Sequence, residues 1–148
     1  MMIAKASVLV EAPLELVQEA VLDPSAYGDG ATKVQDMVVE SRSENELVAR
    51  ISGHLGPFRS SIRARYSVGV NQVDLTMIEG RLRNFHAVFL FEPQANGVVL
   101  THREEYDFGY PLISPLLDRA LQGWATRSVV AEVTALKRAA EARVKVAA

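Results

Sequence analysis

The sequence contains no cysteine. That absence removes disulfides, thiol nucleophiles and thiolate metal sites, and it fits a reducing compartment. Nor is there an apolar run approaching the roughly 20 residues of a membrane-spanning helix. The opening stretch "MMIAKASVLVEAP" lacks a basic leader and a long apolar segment, so it does not read as a signal peptide. Neither sign of charge dominates. The 16 Lys and Arg against 18 Asp and Glu give a net charge of -2, which provides no global attraction for nucleic acid or an anionic membrane. HExxH spacing, a GxSxG elbow and a phosphate-binding glycine loop are all missing. The expectation is a soluble, cytoplasmic protein, not integral to a membrane, with no metal, no cofactor and no nucleic-acid partner.

What remains is a chain of 148 residues, 49% of them hydrophobic. That suits a single domain over residues 1–148 with a substantial core. "IAKASVLVEA" alternates and predicts a first strand. Pro13 then opens a short helix, "PLELVQEAVL", which Asp23-Pro24 stops. "PSAYGDGATK" is a loop with room for one helical turn. Its Tyr27–Thr32 part, with Gly28 and Gly30, is the expected mobile element. Six strand-like runs follow, from "KVQDMVVES" to "GVVLTHREEYDF", separated by hairpin-length turns such as Gly56-Pro57. Such short links demand antiparallel neighbours. Ser114-Pro115 predicts an N-cap and first helical residue, opening a long helix that reads through Val144. Leu117, Leu121, Trp124, Ser128, Ala131 and Ala135 form one stripe on it, and Val129, Val133 and Leu136 a second.

The Gly56-Pro57 turn fixes the faces. It sets Leu55 opposite Phe58, so Ala49, Ile51, Gly53 and Leu55 share a face with Phe58, Ser60, Ile62, Ala64 and Tyr66. A slip of one residue would bury Arg59, Arg63 and Arg65 instead. Carried forward, the phase turns Val73, Leu75 and Met77 inward, then Phe85, Ala87, Phe89 and Phe91. On the last strand it turns Leu100, His102, Glu104, Tyr106 and Phe108 inward. A β-bulge would invert the later strands. The outer face receives His54, His86 and an arginine patch, Arg50, Arg59, Arg63 and Arg65, which reads as a solvated face balanced by neighbouring acids. It also receives Ile78, Val88 and Leu90, an apolar trio that a second copy in a homodimer could cover.

The order of strand, two short helical pieces, six strands and long C-terminal helix resembles the START-related lipid-transfer and polyketide cyclase superfamily, SRPBCC. The stretches that carry the resemblance are "ASVLVEAPLELVQEAVLDPSAY", "EGRLRNFHAVFLFEP", "NGVVLTHREEYDF" and the proline-containing entry to the last helix. Many members place a tryptophan soon after the tyrosine of the "DP..Y" segment. Here Tyr27 precedes Gly-Asp-Gly. The resemblance implies an α+β helix-grip fold, with a seven-stranded antiparallel curved sheet wrapped around the long helix. It also implies a hydrophobic cavity between them for a lipid, polyketide, quinone or similar molecule. It transfers no catalytic residue, because the superfamily shares no catalytic motif.

The expected function is therefore binding or transport of a small hydrophobic or amphipathic ligand. Its expected lining is Phe58, Ile62, Tyr66, Met77, Phe85, Phe89, His102, Glu104, Tyr106, Leu117, Leu121 and Trp124. His102 and Glu104 stand out, two ionisable residues on an apolar face. They read as polar anchors for a ligand, or as the acid and base of a polyketide cyclase or aromatase. Otherwise Glu104 pairs with an arginine at the cavity mouth, since a buried charge needs a partner, or a β-bulge turns it outward. A third reading is a partner-binding module that uses the sheet's outer face and no ligand.

Overall fold

A computed structural model describes residues 1–27 and 32–147. The hairpin turn at Gly56-Pro57 anchors the register. Gly56 has φ of +60°, and the proline after it is held near about −65°. That sign pattern belongs to the type II′ hairpin turn, whose twist matches the flanking strands. Leu55 faces Phe58 across it, as the sequence requires.

The chain runs β1 (Met2–Val10), α1 (Leu14–Val21), a 3-10 turn (Pro24–Tyr27), β2 (Val34–Arg42), β3 (Glu46–Leu55), β4 (Phe58–Val68), β5 (Gln72–Glu79), β6 (Asn84–Gln94), β7 (Gly97–Asp107) and α2 (Ser114–Ala147). One antiparallel sheet has the order β1-β7-β6-β5-β4-β3-β2. β1 and β2 are its edges, and the two helical pieces between them carry the chain from one edge to the other. This is the helix-grip arrangement.

Because every pair is antiparallel, the sheet has two distinct rims. One rim gathers the starts of β1, β2, β4 and β6, the ends of β3, β5 and β7, and the entry to α2. The other carries the β2–β3, β4–β5 and β6–β7 turns and the start of α1. The cavities described below lie toward the first rim, here called the open rim.

The inward phase survives to the last strand. Phe85, Ala87, Phe89 and Phe91 are buried on β6, and Leu100, His102, Glu104, Tyr106 and Phe108 on or just after β7. Register shifts do occur, two between β2 and β3 and one between β4 and β5. The β4–β5 shift falls past Met77, beyond the inward residues of β5, so it inverts nothing downstream.

The long helix differs from expectation in two ways. Ser114 does not cap it. Its hydroxyl accepts the Tyr110 amide at 3.0 Å, while the Ile113 carbonyl takes the first helical amides, Leu116 and Leu117. The buried line is also rotated relative to the expected stripe. It runs through Leu121, Ala125, Ser128, Val129, Glu132, Val133, Leu136 and Ala140, with Ala131 and Ala135 only half-buried. A glutamate therefore sits on the face that packs toward the sheet. On the outer sheet face, Val88 is buried rather than exposed, which leaves Ile78 and Leu90 of the apolar trio.

Candidate functional site

Alternation alone turns Glu104 and His102 inward from β7. The tertiary fold then brings two more charged residues to them. Lys33 stands just before β2, where its carbonyl accepts the His54 amide at 3.0 Å and ties it to the end of β3. Gly53 permits that approach, because a Cβ there would collide with the Lys33 carbonyl oxygen. Glu132 comes from the middle of α2. Lys33 Nζ donates to both oxygens of Glu104, at 2.6 and 2.7 Å, and lies 2.7 Å from Glu132 Oε1. His102 Nε2 is 2.8 Å from Glu132 Oε2 and 3.6 Å from Glu104 Oε2. His102 Nδ1 donates to the Val88 carbonyl at 3.2 Å, and the imidazole stacks on Phe89 with centroids 4.0 Å apart. The Tyr106 hydroxyl donates to Glu104 at 3.1 Å.

His102, Glu104 and Glu132 are 1%, 2% and 3% exposed. Ions so buried survive only when paired and hydrogen-bonded. Here two carboxyl groups face one ammonium and one imidazole. Burial alone would raise the Glu104 pKa, but Lys33 and His102 outweigh it and hold the carboxyl down at about 2. Burial would lower the His102 pKa, and its bonds to Glu104 and Glu132 instead push it up to about 9. Lys33 follows the same logic: burial acts against its charge, the two carboxylates prevail, and its pKa stands well above the usual lysine value. Tyr27, Tyr66 and Tyr106 are raised first by burial, with Tyr66 and then Glu132 adding to it at Tyr27 and the nearby carboxylates at the other two, so they remain protonated.

Glu104 is ion-paired, one of the alternatives the sequence left open, but its partner is a lysine rather than an arginine. Two arginines of the patch have other partners: Arg63 lies 3.1 Å from Glu40 and Arg65 4.0 Å from Glu46. Ligating atoms of His102, Glu104 and Glu132 lie within 4.8 Å of one another, as metal ligands do. The position between the two carboxylates is taken by the Lys33 ammonium.

Two adjacent cavities, each about 60 Å³, flank this cluster. The inner one is walled by Val34, Ile51, Ile62, Tyr66, Leu75, Phe85, Ala87 and Phe89, with Tyr27, Lys33, His102, Glu104 and Glu132 on its polar side. The outer one shares Lys33, Val34, Ile51, Ile62 and Phe85 and reaches the open rim past Leu55, Leu82 and Tyr106. Of the expected lining, Ile62, Tyr66, Phe85, Phe89, His102, Glu104 and Tyr106 line these spaces. Phe58 does not; it sits at the turn, 62% exposed. Leu117 and Met77 pack against the core beside the cavities. Leu121 is buried beneath Gly56, and Trp124 lines a groove with Gly56, Pro57 and Arg127. The expected mobile element falls largely on residues 28–31, outside the described residues. Its flanks are buried: Tyr27 donates to the Val21 carbonyl at 2.6 Å, and Thr32 is buried.

Lys33 and Glu132 went unread in the sequence. Glu132 follows Ala125 by seven residues and Ser128 by four, so helical spacing put it on the buried face. The expected stripe through Ala131 and Ala135 is rotated away from it. Lys33 carried no local signal beyond its place at a strand start.

The sequence model of the family described as "Polyketide cyclase / dehydrase and lipid transport" matches residues 10–134. The chain belongs to that family. Its fold is close to that of TTHA0849 from Thermus thermophilus, with a TM-score of 0.84 and 17% identity over 95% of this chain and 98% of that one. It is similarly close to the Zhui aromatase/cyclase from Streptomyces sp. R1128, with a TM-score of 0.79 and 18% identity over 98% and 96%. A START superfamily protein from Mycobacterium smegmatis aligns over 100% of both chains at 14% identity and a TM-score of 0.70. No curated protein matches it in sequence.

Proposed function

We propose that this chain binds a small, predominantly apolar molecule bearing a polar group, seated under the sheet beside Lys33, His102, Glu104 and Glu132. One observation carries the reading. The inner cavity is apolar on the sheet side and edged by a charge-balanced, hydrogen-bonding cluster on the other, the composition of a small-molecule site. Membership of a family described by polyketide cyclisation and lipid transport supports it. A space of about 60 Å³ has room for only a few water molecules, at roughly 10–15 Å³ each. A ligand of a few hundred daltons therefore enters by displacing side chains at the mouth, Leu55 and Leu82 first. Its binding free energy must cover that rearrangement.

A second reading, catalysis of the cyclase or aromatase type, draws on the perturbed ionisations. They assign the roles unequally. A Glu104 held at about 2 is a weak base, whereas a His102 protonated up to about 9 is a competent acid at neutral pH. In this reading a substrate oxygen displaces Glu132 from His102 Nε2 and takes its proton, while the Val88 carbonyl holds the ring through Nδ1. Glu104 gains basicity only when a substrate draws Lys33 away.

Titration with a neutral, environment-sensitive apolar dye tests the binding reading. Wild type takes up the dye. Ile62→Trp fills both cavities and abolishes uptake while the circular dichroism spectrum stays native. Ala87→Val, a smaller filling, weakens it. Unchanged uptake in both variants would place the dye elsewhere and remove the cavity as the site.

A further inference from the structure

The exposed large apolar side chains are not evenly spread. Tyr110, Leu112, Ile113 and Leu116 fall within one seven-residue stretch, where β7 hands over to α2, and Leu112 is 91% exposed. The segment is ordered into a tight turn. The amides of Ile113 and Ser114 donate to the Tyr110 carbonyl at 3.0 and 2.7 Å, and the Ser114 hydroxyl accepts the Tyr110 amide at 3.0 Å. A turn held this firmly presents its leucines and isoleucine outward by construction.

Three exposed arginines stand on the rim around this turn. Arg59 is the second residue of β4, Arg81 lies between β5 and β6, and Arg119 follows Leu116 by three residues on the same side of α2. All three are exposed, and none takes an ion pair among the described residues. Arg83 packs against Gly109, joining the β5–β6 connection to the start of the apolar turn. Of the acids at this rim, Asp107 engages Arg83 at 3.7 Å and Asp118 the N-terminal ammonium at 2.9 Å, while Glu79 at the end of β5 is exposed and takes no ion pair among the described residues.

We propose that the open rim docks on an anionic lipid surface, with Leu112, Ile113 and Leu116 entering the interfacial layer and Arg59, Arg81 and Arg119 resting on the headgroups. The pairing of exposed aliphatic side chains with adjacent unpaired arginines is what interfacial binding needs. Apolar area supplies the insertion and cations supply the attraction to anionic lipid. The overall charge of -2 does not oppose it, because charges beyond about 10 Å are screened. A second copy of this chain is a poorer occupant, since a two-fold contact would set the same arginines against one another. The proposal is independent of what the cavity holds, although the cavity mouth opens at this same rim.

Sedimentation of the full chain with vesicles tests it. Binding is expected to phosphatidylcholine vesicles containing phosphatidylserine, to be much weaker to phosphatidylcholine alone, and to fall as salt is raised. Leu112→Asp combined with Ile113→Asp should lower binding about tenfold or more. Arg81→Glu with Arg119→Glu should remove the preference for phosphatidylserine. Both variants should melt as wild type does, because the altered side chains are exposed. Absence of binding to anionic vesicles at low salt would overturn the proposal, as would binding that neither variant reduces. A self-associated species in sedimentation equilibrium that Leu112→Asp dissolves would reassign the surface to a second copy. Equal binding to soluble polyglutamate would reassign it to acidic proteins.

Discussion

The two ends of this molecule are held together by different forces. Toward the rim where α1 begins, Val10, Val17, Val21, Leu136 and Ala140 are fully buried, with α1 packed on α2. That half is dry and apolar. Toward the open rim the interior contains two cavities and four ionisable side chains from three separated parts of the chain. In the first half, cohesion comes from apolar area and close packing, which act without direction or dependence on pH. In the second it comes from charge pairs whose worth depends on every partner being present. The difference teaches where function can be accommodated. A packed apolar end keeps the fold, and the charged end carries groups able to respond to a ligand or a proton.

The largest effect should come from removing one charge. Glu104→Leu strips Lys33 of its bidentate partner and leaves a buried ammonium, so it should destabilise by about 4 kcal/mol in urea denaturation. Lys33→Met with Glu104→Leu together should recover part of that loss. Equal losses in the single and double variants would show that the pair is not the source. The sequence alone suggests that a buried carboxyl costs stability which leucine would restore. Lys33 reverses the sign.

Changing pH probes the same half without mutation. Glu104 falls to about 2 on folding, so its contribution is present above the unfolded value near 4.5 and is lost as pH drops toward 2. His102 rises to about 9. Its contribution is full below the unfolded value near 6.5 and is lost as pH climbs through 9. Each shift is worth on the order of 3 kcal/mol. Stability measured against pH should therefore plateau between these two windows and decline on either side. His102→Phe should flatten the alkaline decline. A profile that keeps its alkaline limb in that variant would show that another group produces it.

The smallest effect belongs to the apolar end. Val17→Ala removes two buried carbons and should cost about 2 kcal/mol. The loss should be the same at every pH within the plateau and on both flanks, because no titrating group touches that term. If it varies with pH as strongly as Glu104→Leu does, the two halves are not energetically separable.

Much of the fold was legible along the chain. Alternation in "LTHREEYDF" placed His102 and Glu104 inside, and the Gly56-Pro57 turn fixed which face of β3 and β4 is buried. The same logic failed at Phe58. The residue has the right phase but opens β4 at the hairpin turn, where its side chain stays exposed. Val88 has the outward phase and is nonetheless buried. On the helix, spacing alone carried Glu132 inward.

The sequence by itself determined direction. Successive side chains on a strand point to opposite faces because of covalent geometry, and a two-residue turn leaves only one register between its strands. These are local properties, decided within a few residues. Only the tertiary structure decided which partner neutralises Glu104. Lys33 is 71 positions away, and Glu132 joins it from a helix that packs across the sheet. It likewise decided that the cavities are small, because free volume is the remainder after every wall has been packed. Charge pairing and free volume are properties of distant segments brought together, and no short window of sequence contains them.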